Sequence, residues 1–154
     1  MSLFSAACES SLRLLTYVHA HAGADRKLGV QEIAQGTDTP AAYAAKILQI
    51  LARKGLVSSV RGPHGGFFLD TQQAEQLTAF DVVLAIDGHD LFKTCMLGLK
   101  DCSSDHPCPM HDDFLQIRTR LEIALRQTRV KALAERYKSG MFFVNIADID
   151  KLSP

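Results

Sequence analysis

Nothing constrains the fold of this chain more than residues 39–69, where a helix start, a helical apolar face and a glycine-rich hairpin follow one another without a spacer. Thr39 is a residue type that caps helices, and Pro40 suits the first helical position, where its missing N–H loses no bond. From Pro40 to Lys54 the apolar Ala44, Ile47, Leu48 and Leu51 fall on one face, and Gly55 follows as a helix stop. LVSSV then alternates as a strand, RGPHGG is a turn, and FFL begins a second strand. Upstream, Leu28 to Val30 is predicted as a brief strand and Val30 to Gln35 as a short helix ended by Gly36. Two helices joined by a three-residue turn and followed by a hairpin make a winged helix-turn-helix.

The rest of the chain is mainly helical. Leu12, Leu14, Leu15, Val18 and Ala22 recur at helical spacing and predict a helix over Ala6 to Ala22, ended by Gly23. Thr78 caps a short helix through AFDVVLAIDG. From Met110 to about Arg136, Phe114, Ile117, Leu121, Ala124 and Leu125 predict one long helix, whose apolar stripe needs a partner. The simplest partner is a second copy across a two-fold axis, which would match a palindromic DNA site. The tail beyond Ser139, with Met141, Phe142, Phe143, Val144 and Ile146, reads as a docked strand or an ordered extension.

Charge is informative locally and not globally. The chain carries 17 basic and 17 acidic residues, so its total gives no sign of a polyanion partner. From Thr39 to Gly66, however, there are Lys46, Arg53, Lys54 and Arg61 and no Asp or Glu. Positive charge is therefore concentrated on the helix and hairpin that would meet nucleic acid. No apolar run approaches the roughly 20 residues of a membrane span, and residues 1–11 do not have the form of a signal peptide. A cytoplasmic protein without membrane contact is the expectation.

Three of the four cysteines, Cys95, Cys102 and Cys108, are separated by six and then five residues on a segment with loop composition. In a reducing compartment such a group points to a soft metal, to an iron–sulfur cluster or to a reversible disulfide. His111, His106, Cys8 and Glu9 are candidates for a fourth ligand. Zinc sites commonly contain CxxC pairs, and none occurs here. The nucleophile, zinc-protease and phosphate-loop motifs of enzymes are missing, which leaves a small metalloenzyme as a remote alternative and predicts a protein that is not an enzyme.

Taken together, LRLLTYV, IAQGTDTPAAYAAKILQILARKGLVSSVRGPHGGFFL, LTAFDVVLAIDG and the three cysteines resemble the IscR and NsrR family of winged-helix regulators over about residues 3–136. The resemblance implies a homodimer that reads a palindromic promoter site on double-stranded DNA, acting as a repressor. It also implies a 2Fe-2S or 4Fe-4S cluster on Cys95, Cys102 and Cys108, sensing nitric oxide, redox state or iron–sulfur status. A cluster-free thiol-redox regulator is the alternative. For the fourth ligand, His111 matches the histidine three residues after the last cysteine in IscR-like members. Glu9 matches the acidic residue that NsrR-like members take from the partner's first helix, and Cys8 stands beside it.

The implied division is a DNA-binding domain over 1–90, a cluster loop over 91–109, a dimerisation helix over 110–136 and a C-terminal extension over 137–154. Residues set to meet DNA are Thr39, Tyr43 and Lys46 on the recognition helix and Arg61 and His64 on the wing. Arg53 and Lys54 lie in the last helical turn, where cations favour the helix dipole, and are left out.

Overall fold

A computed structural model describes residues 2–23 and 25–145. Eight helices and one two-stranded antiparallel sheet are described: α1 Ala6–His21, α2 Val30–Gly36, α3 Ala41–Arg53, β1 Ser58–Val60, β2 Gly66–Phe68, α4 Thr71–Gln76, α5 Ala79–Ile86, α6 Asp90–Lys93, α7 His111–Gln127 and α8 Val130–Lys138. No helix among the described residues is long and apolar enough to cross a membrane.

The core is built where α1, α2, α3 and α8 converge. Leu14, Leu15 and Val18 of α1 meet Ile33, Ile47, Leu48 and Leu51 of the helix-turn-helix, with Leu28, Val57, Val82 and Val130 closing the cluster. Each is fully or almost fully buried, so truncating any of the leucines or isoleucines to alanine would cost about 2–5 kcal/mol. The turn between α2 and α3 is fixed by Thr37, whose hydroxyl donates to the Ile33 carbonyl at 2.8 Å, and by Asp38 in a left-handed conformation with φ 49°.

The wing pairs Ser58 with Phe68, Ser59 with Phe67 and Val60 with Gly66. The strand expected at residues 28–30 reduces to one position, since Leu28 alone exchanges backbone bonds with Phe67, at 3.0 and 2.8 Å. That contact nails the hairpin to the core. It also explains Gly66, which has φ +145° and whose added Cβ would lie 2.6 Å from the Leu28 carbonyl oxygen.

Four expectations change. The start of α3 falls one residue later than predicted: Pro40 is the cap, and Thr39 is buried with its hydroxyl donating to the Thr37 carbonyl at 3.2 Å. A helix not anticipated, α4, begins at Asp70, whose carboxylate accepts from the Gln73 N–H at 2.8 Å while Gln73 returns an oxygen to the Asp70 N–H at 2.9 Å.

The single helix expected over 110–136 is two helices, α7 and α8, parted at Thr128 and Arg129. There the chain turns extended and bonds to the segment between α4 and α5: Ala79 N–H donates to the Thr128 carbonyl at 2.8 Å, and Val130 N–H to that of Leu77 at 2.9 Å. Tertiary bonds thus replace the helical ladder, and α8 folds back along α1, burying Val130 and Ala134. The tail forms turns and no strand over 141–145; Ile146 lies outside the described residues.

Candidate metal centre and DNA-facing surface

The segment between α6 and α7 is a chain of tight turns that brings distant cysteines together. Gly98, with φ 69°, lets its N–H close on the Cys95 carbonyl at 3.0 Å, and Cys102 N–H reaches the Leu99 carbonyl at 3.4 Å. Ser103 and His106 close the next turn, and His111 N–H bonds to the Cys108 carbonyl at 3.0 Å as α7 begins. The three Sγ atoms of Cys95, Cys102 and Cys108 then lie within 4.8 Å of one another, with Cys95 and Cys108 only 3.6 Å apart. His111 adjoins the set through Nδ1, 3.2 Å from the Cys102 Sγ.

The sulfurs differ in acidity. The backbone N–H of Leu99 acts most strongly on Cys95 and, with Leu97 and the neighbouring thiols, draws it down to about 7 against some desolvation. Burial pushes Cys108 up, partly opposed by the Met110 N–H. Three soft sulfurs with an imidazole at one corner are a donor set that suits an iron–sulfur cluster or a thiophilic metal, and a single chain supplies it.

The other predicted ligands sit on α1. Cys8 is fully buried, and burial first, then the charges of Asp87 and Glu9, raise its thiol to about 12, so it is held neutral. Glu9 is half-buried and accepts a hydrogen bond from Ser2. Neither belongs to the sulfur group, and His106 is exposed on the loop.

One basic residue at this site escapes sequence reasoning. Arg118 of α7 is buried to 8 % exposure, donates through Nη1 to the Thr94 carbonyl at 2.6 Å, and stands with its guanidinium carbon 5.5 Å from the centre of the Phe114 ring. In sequence it is one more arginine on an amphipathic helix, and nothing there marks it as interior.

The residues predicted to meet DNA lie on α3 and the wing. Lys46 is exposed and Tyr43 half-buried on α3; Arg61 and His64 are exposed on the hairpin turn. Thr39 differs, being buried in the helix-turn-helix turn. Beside the wing stands a further cation, Lys27, whose ammonium lies 5.5 Å from the centre of the Phe68 ring. Its sequence signal was the Leu28 strand, once that strand is paired to the hairpin.

A family profile described as Rrf2, iron-dependent transcriptional regulator, matches residues 4–136. Among curated relatives, an HTH-type transcriptional regulator of Aquifex aeolicus is 28 % identical over 93 % of this chain and 99 % of its own length. The HTH-type transcriptional regulator IscR of Erwinia tasmaniensis is 26 % identical over 80 % of this chain and 77 % of its own. Among solved structures, CymR, the global cysteine regulator of B. subtilis, superposes with a TM-score of 0.72 at 22 % identity, covering 88 % of this chain and 98 % of that one. IscR of T. potens gives 0.67 at 19 % identity, with 90 % of each chain covered. At these identities the structures establish the fold, a winged helix.

Proposed function

We propose, for a chain that belongs to the Rrf2 family of transcriptional regulators, that it acts as a cytoplasmic homodimeric repressor whose grip on a palindromic site depends on an iron–sulfur centre at Cys95, Cys102, Cys108 and His111. Members of the family regulate transcription by binding DNA and are not enzymes. The observation that carries the proposal is the convergence of three Sγ atoms within 4.8 Å, with the His111 imidazole 3.2 Å from one of them. His111 is preferred to Glu9 because it already touches the Cys102 sulfur of its own chain, and to Cys8 because that thiol is buried and neutral.

A bound cluster would supply one-electron redox chemistry and reactivity toward nitric oxide. The protein's own part is mechanical. His111 is the first residue of α7, so whatever fixes or frees the cysteine loop acts at the start of the helix whose exposed Leu115, Ile117 and Ile123 await a second copy. A shift of that helix would alter the distance between the two copies of α3, and with it the fit to two half-sites. Lys46, Arg61 and His64 would supply phosphate and groove contacts.

The cluster-free reading also has an observation in its favour. Cys95 and Cys108 are 3.6 Å apart and one of them has a pKa of about 7, a pairing ready to oxidise to a disulfide. Anaerobic purification with iron and sulfide analysis separates the two, followed by gel shifts of loaded and metal-free protein on one operator at fixed salt. Brown protein with iron and sulfide, and an affinity that changes on unloading, supports the cluster. Colourless protein whose DNA affinity follows oxidation by disulfide exchange supports the thiol switch.

A further inference from the structure

We propose that Arg118 is the fixed cation of the cysteine loop: a positioning residue that pins the loop to α7 and balances the negative charge of the thiolates when they hold a metal, an inference that rests on the metal-centre reading above. Arg118 is more than nine-tenths buried, and its Nε has no hydrogen-bond partner among the described residues. No ion pair is recorded for it among the described residues either. The acid one helical turn on, Glu122, is taken by Arg126 at 2.8 Å. A buried guanidinium without a carboxylate is strongly unfavourable unless another negative group stands in. Its one anchored nitrogen bonds to Thr94, the residue immediately before Cys95.

The placement on α7 gives this cation its purpose. His111, Phe114 and Arg118 are spaced by three and then four residues, so they share one face of the helix. That face holds the cysteine loop at two points, Thr94 through Arg118 and Cys102 through His111, about 10 Å apart along the axis. Three thiolates around one divalent cation retain one negative charge, and a single buried arginine matches it. Without the metal-bound thiolates that matching charge is missing, and Arg118 stands as an interior cation at the second anchor point. The state of the sulfurs is thereby felt two turns into α7.

The two roles, scaffold and counter-charge, separate by experiment. Co(II) is titrated anaerobically into the reduced, metal-free full chain and followed by the sulfur-to-cobalt charge-transfer absorbance, for wild type, Arg118→Met and Arg118→Lys. The metal-free forms are also melted. Arg118→Met is expected to bind Co(II) at least about tenfold more weakly while its metal-free form melts no lower than wild type, since a buried charge has been exchanged for an apolar chain of similar length. Arg118→Lys, which keeps the charge, is expected to recover most of the affinity. Equal cobalt affinity in wild type and Arg118→Met overturns the proposal and leaves the metal centre standing. Loss of affinity in both variants together with a lower metal-free melting temperature overturns it in favour of a packing role. A wild type that shows no thiolate–cobalt absorbance overturns the metal-centre reading, and this inference with it.

Discussion

Four cysteines of one chain need not behave alike, and here burial and backbone geometry separate them. Cys95 receives N–H groups from its own turn, led by Leu99, and with a pKa of about 7 it is about half thiolate at neutral pH. Cys8 sits in the core with its thiol raised to about 12. In the metal-free, reduced protein, iodoacetamide at pH 7 should therefore label Cys95 first and Cys8 last, and mass spectrometry of timed quenches reads that order. The sign for stability also follows. The folded state holds the Cys8 proton more tightly than an unfolded chain does, so this contribution is intact below pH 9 and is lost as pH rises from about 9 toward 12. Cys8→Ala should flatten the alkaline limb of a stability profile measured by urea unfolding.

Elements differ in how openly the sequence announces them. The helix-turn-helix and wing were legible because every signal is local: Pro40 at the start of α3, four buried residues at helical spacing, and a hairpin turn dense in glycine. The three cysteines were legible as a group, though only the fold brings His111 against Cys102. The break at Thr128 was not legible, because no proline or glycine marks it and the hydrogen bonds that cause it come from Leu77 and Ala79, some fifty residues earlier. The apolar pattern over 110–136 serves two surfaces, α7 toward α5 and α6 and α8 toward α1. The helix α4 carries a capping signature, Asp70 with Gln73, but buries no residue, so a reading based on apolar period passes over it.

Local geometry also fixes what the wing tolerates. Gly66→Ala drives a Cβ into the Leu28 backbone from a conformation that L-residues avoid, a cost of about 1–3 kcal/mol. The hairpin should detach from the core, lowering DNA affinity in gel shifts while the count of free thiols stays at the wild-type value.

At the level of the whole molecule, a neutral chain divides its charge so that residues 39–66, which form α3 and the wing, carry four basic residues and no acidic one. Lys46→Ala and Arg61→Ala should each weaken DNA binding across sequences and lower the slope of log affinity against log salt by about one, measured by fluorescence anisotropy over a salt series. If α7 joins two copies, Ile117, which is 57 % exposed on it, lies at or near the seam. Ile117→Glu is expected to convert a dimer to a monomer by light scattering and to abolish tight binding to a two-half-site operator, while a single half-site is still bound weakly.

The return of α8 onto α1 has a consequence for how the protein is made. α1 has its second wall supplied by Val130 and Ala134, which are translated more than a hundred residues after it. At about 5–20 residues per second, α1 waits several seconds with that side bare. The reading head therefore cannot be completed while the chain is still short, and a transcript cut off before α8 yields a product open to chaperones and proteases rather than a stray DNA binder.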